Sequence, residues 1–212
     1  MSDFTLTQEL FLIGHDEFSG KAPINDDLLD TGLAGATLAE LLIAGRIDIK
    51  DGLVAVRDSE PWGARLTDAV LAEIVRRGNG HPVRAWLEHL RGEIRGVVAR
   101  DLTATGVIRR EETKSSFGRK ITIRYPAANT LLAASPRVRL GYVVNREPVP
   151  DTPTATLAGL VVAVGLDRFV VVGSGKTRER LAAAGDTARA PIPALLKGVQ
   201  ATVAAIALQV RR

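Results

Sequence analysis

Basic side chains are concentrated in one region of the sequence. Arg84, Arg91 and Arg95 lie seven and four residues apart, which places them on one side of an α-helix. From residue 84 to residue 124 there are ten basic and five acidic residues, whereas the rest of the chain has 18 basic and 19 acidic residues. The net positive charge therefore belongs to this region, and it indicates an anionic partner.

A β-hairpin is predicted directly after this helix, with its tip at residues 113–118. Phe117 lies in the tip, and Arg119 and Lys120 follow it. An aromatic tip flanked by bases can enter a lipid headgroup layer, where each base contributes roughly 1 kcal/mol. The arginine pattern alone is equally typical of a solvated helix face, so the hairpin is the feature that favours a binding function.

The sequence contains no motif for catalysis, for a cofactor or for a metal. It has no cysteine, and His15, His81 and His89 lack the spacing of metal ligands. Residues 173–177 resemble a phosphate-binding loop, but Val170 stands where that motif needs its first glycine. We interpret this segment as a polar loop between helices. We therefore expect no catalytic residue, no cofactor and no metal site, and an enzyme is the least supported class.

A helix over residues 26–45 organises the predicted fold. Asp26 or Asp27 is expected to cap its start, and Gly45 to take the left-handed conformation just past its end. Glu40 is the only charged residue between positions 31 and 44. A helix that is apolar on nearly every side belongs at the centre of a helical bundle.

The remaining pattern predicts further helices and one more hairpin. Residues 46–57 alternate around Asp51-Gly52, which is a strong hairpin signal. Helices are predicted at residues 6–13, 66–75, 82–105, 131–143 and 156–166, and from Pro191 or Pro193 onward. The predicted fold class is mostly α: a single-domain helical bundle with two β-hairpins, one of them projecting. No linker divides the chain, so residues 1–212 are expected to form one domain, and no signal peptide is expected.

Several runs of residues, taken in order and spacing, carry a resemblance to a known family. The most distinctive are Gly32-Leu33-Ala34-Gly35 and Ala39-Glu40-Leu41-Leu42-Ile43-Ala44-Gly45-Arg46-Ile47, and residues 6–14, 61–71, 83–87, 102–110, 124–126 and 154–166 also fit. In these runs the chain resembles the Golgi phosphoprotein 3 family, as a bacterial relative of the actinobacterial type.

The resemblance implies a mostly helical domain with a projecting hairpin, in a cytosolic peripheral protein that binds phosphatidylinositol 4-phosphate. It also implies an adaptor for membrane enzymes and for the cytoskeleton. The family's headgroup pocket uses a tryptophan and three arginines. Carried over by position, the tryptophan falls at Asn25 and the arginines at Ala34, Gly92 and Arg95. At position 95 this chain has the same residue as the family, an arginine. Arg91 is adjacent to Gly92, the position of the other helix arginine.

We interpret the protein as a non-enzymatic peripheral membrane adaptor that binds anionic lipid headgroups and is cytoplasmic and membrane-associated. The expected headgroup-binding residues are Arg95, Arg91, Arg84 and Asn25. The expected membrane-contacting residues of the hairpin are Phe117, Arg119 and Lys120. The expected partners are an anionic membrane lipid, the tail of a membrane protein, and a second copy of the chain through the hairpin.

Two other functions stay open at this point. A helix followed by a basic hairpin is typical of a winged-helix protein, whose arginines would contact nucleic-acid phosphates. Gly92 and Gly96 in that helix, and few base-reading asparagine or glutamine residues, count against this alternative. The third interpretation is a protein-binding scaffold without a lipid ligand.

Overall fold

The computed structural model of the chain describes residues 4–114, 121–145, 149–171 and 175–209. Within them the chain forms nine α-helices and two small antiparallel sheets, which confirms the predicted mostly helical class with two hairpins. The helices are α1 (Leu6–Ile13), α2 (Asp26–Ile43), α3 (Arg65–Arg77), α4 (Val83–Leu90), α5 (Ile94–Ala104), α6 (Thr130–Val144), α7 (Thr152–Val164), α8 (Thr177–Asp186) and α9 (Ile192–Gln209). The strands are β1 (Ile47–Lys50), β2 (Leu53–Val56), β3 (His81–Pro82), β4 (Glu111–Lys114) and β5 (Ile121–Arg124).

Helix α2 is buried along most of its length and packs against α1, α7 and α9. Its N-cap is Asn25, whose Oδ1 accepts a hydrogen bond from the backbone N of Asp27 at 2.8 Å. The predicted cap at Asp26 or Asp27 is therefore wrong, because both carboxylates already lie in the first turn, where the helix dipole favours them. Gly45 has a φ of +68°, which confirms the predicted left-handed residue.

Two glycines on α2 let neighbouring helices approach its backbone. A Cβ atom at Gly32 would lie 2.7 Å from a methyl carbon of Val164 on α7. A Cβ atom at Gly35 would lie 2.7 Å from a methyl carbon of Val199 on α9. Glycine lowers helix propensity by about 1 kcal/mol relative to alanine, and the close packing offsets this cost.

The helix predicted over residues 82–105 is wrong: the structure has two helices there. α4 ends at Leu90, α5 begins at Ile94, and Gly92 between them has a φ of +92°. Glycine adopts this conformation readily, and it interrupts the helical backbone although the apolar spacing continues on both sides. Arg84 and Arg95 consequently lie on different helices, and the predicted single stripe of arginines does not form.

The first hairpin joins β1 and β2 through Asp51-Gly52, as predicted, and β3 adds a third strand along β2. The second hairpin pairs Glu111 of β4 with Arg124 of β5. Apart from Arg124, the strand side chains that the structure describes in this hairpin are exposed. The hairpin therefore projects from the helical body, and the backbone N of Tyr125 secures its base by donating to the carbonyl oxygen of Gly20 at 3.1 Å.

Helix α7 is uncharged and buried, as predicted for residues 156–166. Its 13 residues fall short of the roughly 20 that a membrane span needs. Among the described residues, α9 alone has the length and apolar character to cross a membrane, with a mean hydropathy of 1.3 over 18 residues. One third of α9 is buried, and α9 packs against α2, α4 and α7.

The contact between α7 and α8 yields a test of the packing. A Cβ atom at Gly185 would lie 2.8 Å from the Cα of Gly159, and a backbone atom cannot move aside as a side chain can. We expect Gly185→Ala to lower the free energy of unfolding by about 1–3 kcal/mol, as overpacking does. Gly141→Ala on α6 is the matched control, since a Cβ there meets nothing within 4 Å, and it should raise stability by about 0.5–1 kcal/mol. Urea unfolding measures the free energy of unfolding of both variants, and an equal change in the two would contradict the close contact of Gly185 with Gly159.

Candidate functional site

An open groove lies between the start of α2, the turn that joins α4 to α5, and strand β5 of the projecting hairpin. Its volume is about 560 Å³. It is lined by Asp26, Asp30, Gly92, Arg95, Gly96, Ile121, Thr122, Ile123 and Tyr125. The groove therefore joins the predicted basic helix to the predicted hairpin.

Arg95 is fixed in this groove by three contacts to α2. Its Nε donates to Oδ1 of Asp30 at 2.6 Å, and its Nη2 donates to the backbone carbonyl oxygen of Asp26 at 2.7 Å. Its Nη1 lies 2.8 Å from Oδ1 of Asp26. Burial lowers the pKa of Arg95, but the bonds to the two carboxylates outweigh it and raise the pKa overall. The guanidinium stays charged, and these three contacts with described residues involve three of its five N–H donors.

Asp30 and Asp26 hold Arg95 in different ways. The side chain of Asp30 is 12% exposed, and burial raises its pKa, partly opposed by the hydrogen bond from Arg95. The side chain of Asp26 is 74% exposed, so water reaches most of it. Asp30 is thus a structural counter-ion, while Asp26 is an exposed carboxylate at the rim of the groove.

The N-terminus of α5 also faces the groove, since Gly92, Arg95 and Gly96 line it. The N-cap residue Glu93 makes no side-chain hydrogen bond to the first turn of α5. The first N–H groups of a helix have no partner within the helix and carry part of the positive end of its dipole. Such an end is a favourable place for an anion.

The other predicted headgroup-binding residues lie outside the groove lining. Arg84 is on the exposed face of α4 and pairs with Glu88, Nε to Oε1 at 2.8 Å. Arg91 caps the end of α4 and is half-buried. Asn25 is exposed, and its side chain is used as the α2 cap. Phe117, Arg119 and Lys120 lie outside the described residues, so their predicted membrane contact stays a prediction.

Sequence reasoning missed the acidic and apolar parts of the groove. Asp26 and Asp30 are four residues apart on one helix face, a spacing that could have been noted, but their partner Arg95 is 65 and 69 residues away. The groove-lining Ile121 and Ile123 alternate along β5, which predicts that they share one side of the strand.

Behind the groove, Tyr125 packs edge-on to His15, with ring centroids 5.4 Å apart. His15 also stacks on Phe11 at 4.1 Å and shares a 2.8 Å hydrogen bond between its Nδ1 and the carbonyl oxygen of Phe11. Arg137 donates to the carbonyl oxygens of Ile13 and His15 at 3.0 and 2.6 Å. Burial lowers the pKa of His15 to about 4, so the ring is neutral at pH 7.

A second groove, of about 350 Å³, lies between α3, α4 and α5. Its floor is apolar and its rim carries Glu73, His89 and Glu93. Glu73 is held by Arg76 and Arg77, whose hydrogen bonds lower its pKa to about 2. In the part of the chain that the structure describes, no cluster of three or more acidic, histidine or cysteine side chains could hold a metal ion.

Residues 6–206 match the sequence model of the family described as Golgi phosphoprotein 3 (GPP34). The chain belongs to the Golgi phosphoprotein 3 family. The match covers almost all of the helices and both hairpins, including every residue that lines the groove at Arg95. The family is one of non-enzymatic lipid-binding adaptors, and membership confirms the prediction that this protein is not an enzyme.

The buried histidine next to the groove makes stability depend on pH. His15 binds a proton in the unfolded chain below about pH 6.5, but in the folded chain only near pH 4. The unfolded state therefore holds more protons in this window, and stability falls as pH is lowered, by at most about 1.4 kcal/mol per pH unit. We expect His15→Gln to flatten this slope in urea unfolding measured from pH 7 to pH 4. His81→Gln, at an exposed position, is the control and should keep the wild-type slope; an unchanged slope in His15→Gln would contradict this assignment.

Proposed function

We propose that this protein is a cytosol-facing peripheral membrane adaptor that binds the phosphate group of a lipid headgroup in the groove at Arg95. The observation that carries the proposal is the meeting of two anion-binding elements beneath the projecting hairpin. These are the guanidinium of Arg95 and the N-terminus of α5, whose N-cap residue Glu93 makes no side-chain cap hydrogen bond. Proteins of this family are peripheral, cytosol-facing membrane proteins, which supports the same placement.

The chemistry of the groove suits one phosphate group. Two N–H donors of Arg95 and the first backbone N–H groups of α5 can form charge-assisted hydrogen bonds to phosphate oxygens. Asp30 supports this arrangement because its bond to Nε fixes the plane of the guanidinium. Gly92 and Gly96 carry no side chain, so the approach to these donors is open.

The hairpin supports membrane contact on the same side of the molecule. The side chains of Ile121 and Ile123 are 55% and 43% exposed, and both line the groove. Large apolar side chains beside a headgroup site gain free energy when they enter the headgroup layer of a bilayer. In this proposal the hairpin tip, with Phe117, Arg119 and Lys120, enters the same layer.

The resemblance to the family points to phosphatidylinositol 4-phosphate, and that lipid stays within the proposal as a ligand to be tested. Arg95 is the family's headgroup residue that this chain keeps, and Asp26 and Asp30 contribute negative charge next to it. A single phosphate is what the observed donors support best. The tail of a membrane protein and a second copy of the chain are proposed as further partners of the adaptor.

Gly96 offers a test that leaves the ion pairs of Arg95 intact. A Cβ atom there meets only Nη1 of Arg100, at 3.7 Å, so a larger side chain enters open space. We expect Gly96→Glu to weaken binding to phosphatidylserine-containing vesicles about tenfold, because a carboxylate would then occupy the groove beside the phosphate. Gly96→Ala is the matched control and should bind as the wild type does. Vesicle flotation at low salt measures all three proteins.

The same assay separates the rival functions. Vesicles of phosphatidylcholine, with and without phosphatidylserine or phosphatidylinositol 4-phosphate, show which headgroup is preferred. If Gly96→Glu binds every vesicle as the wild type does, the groove is not the headgroup site and the proposal is wrong. Binding of random duplex DNA that falls steeply with salt, together with no vesicle binding, would favour the nucleic-acid alternative.

Exposed isoleucines on the hairpin provide an independent test of membrane contact. We expect the double substitution Ile121→Thr and Ile123→Thr to weaken vesicle binding, because threonine keeps the strand propensity while removing apolar area. Leu53→Thr is the control, since Leu53 is 40% exposed on a strand of the other hairpin. Equal loss of binding in both proteins would show that the effect is not specific to the groove side.

A further inference from the structure

Among the described residues that line the groove at Arg95, carboxylates outnumber cations. Its lining contains two carboxylates, Asp26 and Asp30, and one cationic side chain, Arg95. Asp27 adds a third carboxylate in the same first turn of α2. A ligand that brings only negative charge therefore meets two carboxylates in this lining, with Arg95 as the cation of the lining and Arg100 next to it, whose Nη1 would lie 3.7 Å from a Cβ atom at Gly96.

The two carboxylates in the lining differ in what they can offer a ligand. Asp30 is committed to Nε of Arg95 at 2.6 Å and is mostly buried. Asp26 makes one side-chain contact, at 2.8 Å to Nη1, and most of its carboxylate faces solvent. Asp26 is thus available to a cationic group that enters the groove, without giving up the fixed position of Arg95.

A phosphate bound to the two remaining N–H donors of Arg95 would lie next to Asp26, because one of those donors is on Nη1. Two anions side by side repel unless a cation lies between or beside them. An ammonium group two carbons away from the phosphate within the same ligand would supply that cation. It would donate hydrogen bonds to Asp26 while the phosphate accepts from Arg95 and α5.

We propose that the groove selects an aminophospholipid headgroup, a phosphodiester with a neighbouring primary ammonium group, and that Asp26 is the residue that receives the ammonium. This inference rests on the proposed function and narrows its ligand class. Ethanolamine and serine headgroups share this chemistry. Polyphosphorylated inositol headgroups carry several negative charges and no ammonium group, so they fit the groove less well.

The experiment compares two soluble headgroups that differ in the ammonium group. Glycerophosphoethanolamine and glycerophosphoglycerol each carry one phosphodiester, and only the first carries an ammonium. Wild-type protein should bind glycerophosphoethanolamine more tightly in isothermal titration calorimetry. Asp26→Asn should weaken the binding of glycerophosphoethanolamine about tenfold, because one charge-assisted hydrogen bond is lost. It should tighten the binding of glycerophosphoglycerol, because a repulsion between two anions is removed.

Matched variants make the result specific. Asp26 is exposed in the first turn of α2, where asparagine is tolerated, so Asp26→Asn is expected to fold. Asp51→Asn removes the same charge at the turn between β1 and β2, where its φ of +52° suits asparagine, and it should change neither affinity. Gly96→Glu should weaken both headgroups, which ties the binding to this groove.

The outcomes distinguish this inference from the proposed function. If wild type binds both headgroups equally, or if Asp26→Asn tightens both, the ammonium assignment is wrong while groove binding stands. If Gly96→Glu binds both as the wild type does, the groove is not the site and both proposals fail. Phosphatidylcholine vesicles with added phosphatidylethanolamine or phosphatidylglycerol show the source: recruitment by phosphatidylethanolamine supports a lipid ligand, and soluble binding without recruitment overturns it.

Discussion

The bond between Asp30 on α2 and Arg95 on α5 is the interaction on which the groove depends. It ties the central helix to the helix that precedes the hairpin, across 65 residues of sequence. Truncating one member of a buried ion pair costs about 3–5 kcal/mol, and the partial exposure of this pair lowers that figure. Arg95 is therefore both a ligand-binding candidate and a structural residue. A substitution of Arg95 could lower binding either directly or by destabilising the fold, and a binding assay does not distinguish the two. Gly96 and Asp26 are therefore better positions to change.

The Asp30–Arg95 ion pair holds the guanidinium beside the groove because the backbone places Arg95 in the first turn of α5. Gly92 separates α4 from α5, so α5 has its own N-terminus, and Gly92, Arg95 and Gly96 at that end line the groove. A continuous helix over residues 82–105 would have buried those N–H groups in helical hydrogen bonds. The break that made the sequence prediction wrong is thus the same feature that places the N-terminus of α5 next to Arg95, and our proposal assigns anion binding to both.

Local patterns predicted the elements well and the site poorly, for one physical reason. Apolar spacing and turn residues identify α1, α2, α7, α9 and both hairpins because each signal lies within a few neighbouring residues. The arginine stripe failed since it assumed an unbroken helix, and the pattern alone gave Gly92 no special weight. The carboxylates around Arg95 come from distant positions, so no local pattern could pair them with it.

Family membership indicates a lipid ligand, whereas the side chains at the groove bear on which headgroup is bound. Membership rests on residues 6–206 and places the protein among lipid-binding adaptors. The ligand depends on a few side chains, and the resemblance implies that Asn25, Ala34 and Gly92 stand where the family's headgroup pocket has a tryptophan and two arginines. With an exposed Asp26 beside Arg95, the groove in our proposal takes a headgroup whose own positive charge balances the site. Under this proposal, members of the family share the fold while the charge of the preferred lipid differs between them.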